Sequence, residues 1–329
     1  MSTSTQQQVQ AYRSAAEQPL RPAIREAMQR IALIAAGDTT AVITESAVTC
    51  ANYGERTTIS VEPVDIQIFD GTRLTEIIEI RTPLTKFKLF DEERYSKLNM
   101  FTTTGAIVRD AEGKDAVVSR VYLYEGYDAA LNGLYVPLIT NVALAQVVGV
   151  YYGFARNQGE EDAVTPAKVG LADWDAPSAW GPDEFAEAEE RLRERGVYAN
   201  ASETGLAAEF PWEPGAMTAA LGESTSLLRL STRQPHPWAG NGLFTRLDLP
   251  LSFASEEEGW LAACRLNHAE VEGFDLPPFI GSWCYVPWDD TLTFASFWPN
   301  QLYLPGTAAN IAFWSWSRTL FARRFVGMV

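Results

Sequence analysis

The stretch Lys97-Leu98-Asn99, running into the Thr-rich segment Thr102-Thr103-Thr104, has an echo later in the chain at Leu266-Asn267. With the two Leu-Asn pairs superposed, Gly105 meets Gly273, Leu134-Tyr135 meets Leu302-Tyr303, and Pro137 meets Pro305. Upstream, after a slip of one residue, Pro83-Leu84 meets Pro250-Leu251. A shared register of this kind, with a Leu-Tyr-x-Pro match inside it, points to a tandem repeat, and a repeat has to be recognised before any fold is argued. The 329 residues leave room for two domains of ordinary size.

Outward from Leu98-Asn99, the texture is that of an antiparallel sheet between helices. Leu98–Arg109 and Ala116–Glu125 are expected as strands of a hairpin joined by Asp110-Ala111-Glu112-Gly113-Lys114. Before them, short strands are expected around Val42–Ser46, Thr58–Val61, Ile66–Ile68 and Ile77–Leu84, with turns at Asn52-Tyr53-Gly54 and Asp70-Gly71. A helix precedes the strands, with Ile24, Met28, Ile31 and Ala35 on one face and Gly37-Asp38 as its stop. Another follows over Pro137–Arg156, carrying Leu144, Val148, Tyr151 and Ala155.

The second copy reads in the same way. Pro182 opens a helix over Asp183–Gly196, with acids in its first turn and arginines near its end, as the helix dipole favours. Its apolar content is only Phe185, Ala188 and Leu192, which predicts a surface position. Strands are expected over Val197–Trp212, Ser226–Thr232, Leu243–Phe253, Trp260–Phe274 and Ile280–Trp298, and a closing helix over Thr307–Phe325. The domain plan is therefore a flexible N-terminus over 1–20, an α+β module over 21–157, an acidic Pro/Gly linker over 158–182, and a second, Trp-rich module over 183–329. All 10 tryptophans fall in the latter part of the chain, after residue 170.

The net charge of −16 and pI near 4.6 repel phosphates and anionic headgroups, which argues against nucleic-acid or membrane partners. With 47% hydrophobic and 12% aromatic residues, both modules have enough apolar side chains to build cores. Cys50, Cys264 and Cys284 are odd in number and have no metal-ligand spacing; they are read as reduced thiols, with a Cys264–Cys284 pair left open. The polar start of the chain and the lack of a long apolar run point to a cytoplasmic protein.

Chemistry is sparse. The 2 histidines, His236 and His268, have no nucleophile placed beside them. His268-Ala269-Glu270 matches half of a zinc-deaminase signature, but the Pro-Cys-x-x-Cys half is missing. Gly240-Asn241-Gly242 starts like a dinucleotide loop, yet Thr245 stands where its third Gly belongs, and neither a Walker loop nor a Gly-x-Ser-x-Gly elbow occurs. Asp110–Asp115 approaches a calcium loop without its closing Glu. Asp91-Glu92-Glu93 and Glu256-Glu257-Glu258 are read as solvated turns before strands. No catalytic, cofactor-binding or metal-ligating residue is assigned. The binding candidates are aromatic instead: Trp283, Tyr285, Trp288 and Trp298, in and beyond Trp283-Cys284-Tyr285-Val286-Pro287-Trp288. Alternation puts Trp283 and Tyr285 on one face and Cys284, Val286 and Trp288 on the other, so both faces are expected to be covered by this chain or by a partner.

The order helix, antiparallel strands, helix, with its Leu-Asn pair, following hairpin and Leu-Tyr-x-Pro entry to the last helix, resembles the YbjN-like proteins, whose fold is similar to that of type III secretion chaperones. The resemblance implies an α+β module that binds other proteins, without a cofactor, and pairs with a second copy of itself; here the two copies would form an internal pseudo-dimer or support a homodimer. It implies a non-enzymatic, chaperone-like or adaptor protein that holds a client on an apolar aromatic surface. The alternatives are an enzyme with a carboxylate-based site between the modules and a structural subunit of a larger assembly.

Overall fold

The computed structural model describes residues 20–36, 41–52, 55–67, 73–84, 92–100, 102, 104–110, 112–150, 176–212, 225–237, 239–273 and 277–326. Residues 1–19 of the expected flexible N-terminus, the helix stop at 37–38, residues 53–54 and 70–71 of the expected turns, the helix continuing over 151–156 and residues 158–175 of the expected linker over 158–182 lie outside the described residues.

Pro22 opens helix α1 (Pro22–Ala36), a position where its missing N–H has no helical partner to lose. Ile24, Met28 and Ile31 bury its inner face, as their spacing predicts. The β-branched segment that follows folds into an antiparallel meander of β1 (Ala41–Ile43), β2 (Ala47–Asn52), β3 (Glu55–Gln67) and β4 (Arg73–Pro83). Pro63 has no N–H for the ladder, and the β3–β4 register slips just after it. Helix α2 (Glu92–Asn99), strands β5 (Ala106–Arg109) and β6 (Asp115–Tyr124), and helix α3 (Val136–Val150) complete the first module. Strand β6 returns to pair with β4 and leaves β5 outermost, giving the order β1-β2-β3-β4-β6-β5.

The second module has the same order of elements. It comprises α4 (Pro182–Glu194), β7 (Tyr198–Ser202), β8 (Gly205–Pro211), β9 (Thr225–Ser231), β10 (Gly242–Leu249), α5 (Glu256–Glu272), β11 (Ser282–Val286), β12 (Thr291–Pro299) and α6 (Thr307–Val326). Its sheet runs β7-β8-β9-β10-β12-β11, the first module's order position for position. The protein is thus mixed α+β, with two six-stranded antiparallel sheets and six α-helices among the described residues. Several residue pairs matched in sequence stand at matching places. Pro83 ends β4 and Pro250 follows β10; Leu98-Asn99 lies in α2 and Leu266-Asn267 in α5; Leu134-Tyr135 and Leu302-Tyr303 lead into α3 and α6. Gly105 and Gly273 do not correspond: one precedes β5 and the other caps α5.

Two expectations are corrected. Leu98-Asn99 and Trp260–Glu272 are helix, not strand. In α5 the buried residues Gly259, Ala263, Leu266, Asn267, Glu270 and Val271 recur at helical spacing, but four of them are small or polar, which hides the stripe. Helix α4 has the expected surface position, with its outer residues exposed and Phe185, Ala188 and Leu192 completely buried against α6 and the neighbouring sheet. At roughly 1.5–3 kcal/mol for each large buried side chain, Phe185 and Leu192 suffice to hold a short helix.

The modules meet through equivalent parts. Helix α2 packs on α5, while α2 also lies against β11 and α5 against β5. The contacts are reciprocal: each module sets the helix that precedes its outermost strand against the outermost strand of the other. Polar bonds cross the same seam. Arg120 and Phe279 exchange both backbone hydrogen bonds, at 3.0 and 2.8 Å, and the Asn141 amide donates to the Gln301 carbonyl at 2.8 Å.

Candidate functional site

Strand β11 is at the edge of its sheet, and edge strands carry backbone groups that must be satisfied or hidden. Two side chains do this here. The Asn267 amide of α5 accepts from Trp283 N at 2.7 Å and donates to Trp283 O at 2.8 Å. One pleat along, Tyr285 N donates to the Ser96 hydroxyl of α2, in the other module, at 2.8 Å. In the first module, Asn99 likewise accepts from Ile107 N at 2.7 Å, on the outer strand β5. The Asn residues of the two Leu-Asn pairs therefore seal strand edges.

This sealing decides where the aromatic candidates go. Trp283, Tyr285 and Trp298 are buried in the core between the second sheet and its helices. The Trp283 indole N–H donates to Glu270 at 2.6 Å, and the Trp298 ring stacks on Trp314 with centroids 6.1 Å apart. The opposite face, with Cys284 and Val286, is covered by Ala295, Phe244 and Met100, the last from the first module. Both faces are thus covered by this chain. Of the four aromatic candidates, Trp288 alone is exposed, with 73% of its surface open.

Trp288 is at the tip of the β11–β12 hairpin. Pro287 presets the turn, which closes with a hydrogen bond from Asp289 N to Val286 O at 3.1 Å. Asp290 takes φ 47°, a left-handed position that Asp tolerates better than most residues. The tip is anchored on both sides. Asp289 pairs with Arg246 at 2.8 Å, and Asp290 accepts from the Tyr285 hydroxyl at 2.8 Å. Burial, helped by the bond to Asp290, pushes the Tyr285 phenol up to about 12, so it stays a donor at neutral pH. Its ring meets Phe253 edge-on at 5.7 Å and fills the space over Gly259, where a Cβ would come within 2.5 Å of it. Trp260, next to Gly259, carries Lys97 over its ring at 5.9 Å. The exposed indole of Trp288 thus sits on a turn anchored through Asp289 and Asp290, and Tyr285 links that turn to half-buried Phe253 and to the start of α5, where Glu256 and Glu257 are exposed and Trp260 is half-buried.

The other singled-out residues have structural partners. Glu256, Glu257 and Glu258 form the first turn of α5, where Ser255 caps the helix by accepting from Glu258 N at 3.3 Å. Glu258 in turn accepts from Ala254 N at 3.1 Å. Ser255 followed by Glu258 was the missed signal, a capping pattern that marks a helix start. Glu92 and Glu93 occupy the same place in α2, so neither acidic run is a turn before a strand. Exposed His268 lies near Glu272 at 3.0 Å, while Glu270 points inward to Arg318 at 3.1 Å. Burial raises the Glu270 carboxyl above its ordinary range, and it lowers the Arg318 guanidinium, which lies 4.0 Å from the Phe294 ring centroid. This is a sealed ion pair tying α5, α6 and β11 together, not an open carboxylate site. Asp110 accepts from Glu112 N and Lys114 N within its own loop, and among the described residues no group of three or more His, Cys, Asp or Glu is arranged to hold a metal. All three cysteines are free; burial pushes the Cys264 and Cys284 thiols up to about 12. Among the described residues no helix is long and apolar enough to cross a membrane.

No family model, curated protein or solved structure matches this chain.

Proposed function

We propose that the protein is a non-enzymatic binding protein, chaperone-like or adaptor in character, which docks a partner segment on the β11–β12 hairpin tip with Trp288 as the anchor. The observation that carries this reading is a comparison between the two modules. The equivalent β5–β6 tip carries Asp110, Glu112, Gly113 and Lys114, and Gly113 at φ 77° takes the left-handed position that Asp290 takes in the second. A polar loop, one residue longer, therefore joins the corresponding strands of the first module, and the hairpin itself does not call for an indole at its tip. Trp is among the side chains most enriched at the energetic centres of protein interfaces. The reciprocal packing of α2 and α5 supports the internal pseudo-dimer that a secretion-chaperone-like pairing implies, and the free thiols suit a reducing, cytoplasmic setting.

The test compares affinity purification with the wild-type chain and with Trp288→Ala. Partners should be lost selectively with the variant while its circular dichroism stays unchanged. Recovery of the same proteins at the same yield from both chains would sink the proposal.

A further inference from the structure

We infer that the segment docking on this tip is cationic: an apolar residue flanked by Lys or Arg. This rests on the docking role of Trp288 proposed above and goes on to specify the partner. The charge on the hairpin tip and the first turn of α5 is an acidic excess. Among the described residues Glu256 and Glu257 form no ion pair, and Asp290 is held only by the neutral Tyr285 hydroxyl. The nearby cation Arg246 is already committed, at 2.7 Å to Asp248 and 2.8 Å to Asp289. Lys97, over the Trp260 ring, is bonded to Glu93. The acids of the α5 first turn have a structural reason to be there, since they offset the helix dipole. Whatever their reason, their field selects the partner: it repels phosphorylated or acidic segments and attracts basic ones. The exposed indole face adds a second preference of the same sign, because its quadrupole attracts Arg and Lys. The half-buried Phe253 and Trp260 offer the apolar contact such a segment would need beside its charge.

A phage-displayed library of random peptides, selected on the full-length protein and counter-selected on Trp288→Ala, tests both levels. Enriched peptides should carry Lys or Arg beside an apolar residue. Their binding should weaken about tenfold in high salt, and by a similar factor on the Glu256→Gln, Glu257→Gln, Asp290→Asn variant. Asn tolerates the left-handed position at 290, so this variant should fold, as circular dichroism would verify. Enrichment of neutral or acidic peptides that still require Trp288 would overturn the cationic inference and leave the docking proposal standing. Peptides that bind Trp288→Ala as well as wild type, or the enrichment of none, would overturn both.

Discussion

At the residue scale, Asn267 is the side chain on which the second module most depends. Its amide satisfies both the N–H and the C=O of Trp283, in a place where no water reaches. Leaving a buried polar group unpaired costs about 1–3 kcal/mol, so Asn267→Ala, which strands two, should lose roughly 2–5 kcal/mol of stability. Asn99→Ala strands only Ile107 N and should lose about 1–3 kcal/mol. Urea denaturation of the two variants side by side reads the difference, and equal losses would contradict this account of edge sealing. Trp288 has the opposite profile. It buries little, so Trp288→Ala should leave the urea midpoint within about 0.5 kcal/mol of wild type while removing partner binding.

At the element scale, the seating of α5 on β11 turns on Gly259. Glycine inside a helix is worse than Ala by about 1 kcal/mol, so propensity alone says that Gly259→Ala stabilises. Packing says otherwise. The new Cβ would come within 2.5 Å of the Tyr285 ring, and overpacking of this kind costs about 1–3 kcal/mol. A net loss in melting temperature is expected; a gain would mean that the ring can move away freely. The same helix shows what was legible in the sequence and what was not. The β-branched meander, the Asp110–Lys114 loop, the Trp283–Trp298 hairpin and the closing helix all have strong local signals, and the structure has them. The end of α2 at Leu98-Asn99 and α5 from Trp260 onward carry a strand expectation because the inner faces of these helices present Tyr95, Ser96 and Asn99, or Gly259, Ala263 and Asn267, in place of an apolar stripe. Those residues are small or polar because they must approach and bond strand edges, a tertiary demand that no local window reveals. The exposure of Trp288 was equally invisible. Alternation placed it with Cys284 and Val286, and only the turn geometry separates it from them.

At the scale of the whole molecule, acid should act on the seam. Burial pushes the Glu79 carboxyl up, but Arg120 and Arg81 outweigh it and hold the group below the usual carboxylate range. A depressed pKa contributes stability that is complete above the unfolded value, about 4.3, and is lost as pH falls through the folded value. Arg120 also carries the backbone bridge to Phe279, so this loss falls where the modules join. Between pH 5 and pH 3, wild type should therefore lose more stability than Glu79→Gln, as measured by urea midpoints at each pH; parallel curves would assign the acid sensitivity elsewhere. The reciprocal seam has one more consequence. In a homodimer every substitution appears twice, once on each side of the axis, so a feature gained by one subunit is gained by both. Joining the two halves in one chain removes that coupling, and one tip can carry Trp288 while its counterpart keeps Asp110, Glu112 and Lys114. If Trp288 anchors a partner as proposed, binding should saturate at one segment per chain, a stoichiometry that titration calorimetry reads directly and that a symmetric pair of identical modules would double.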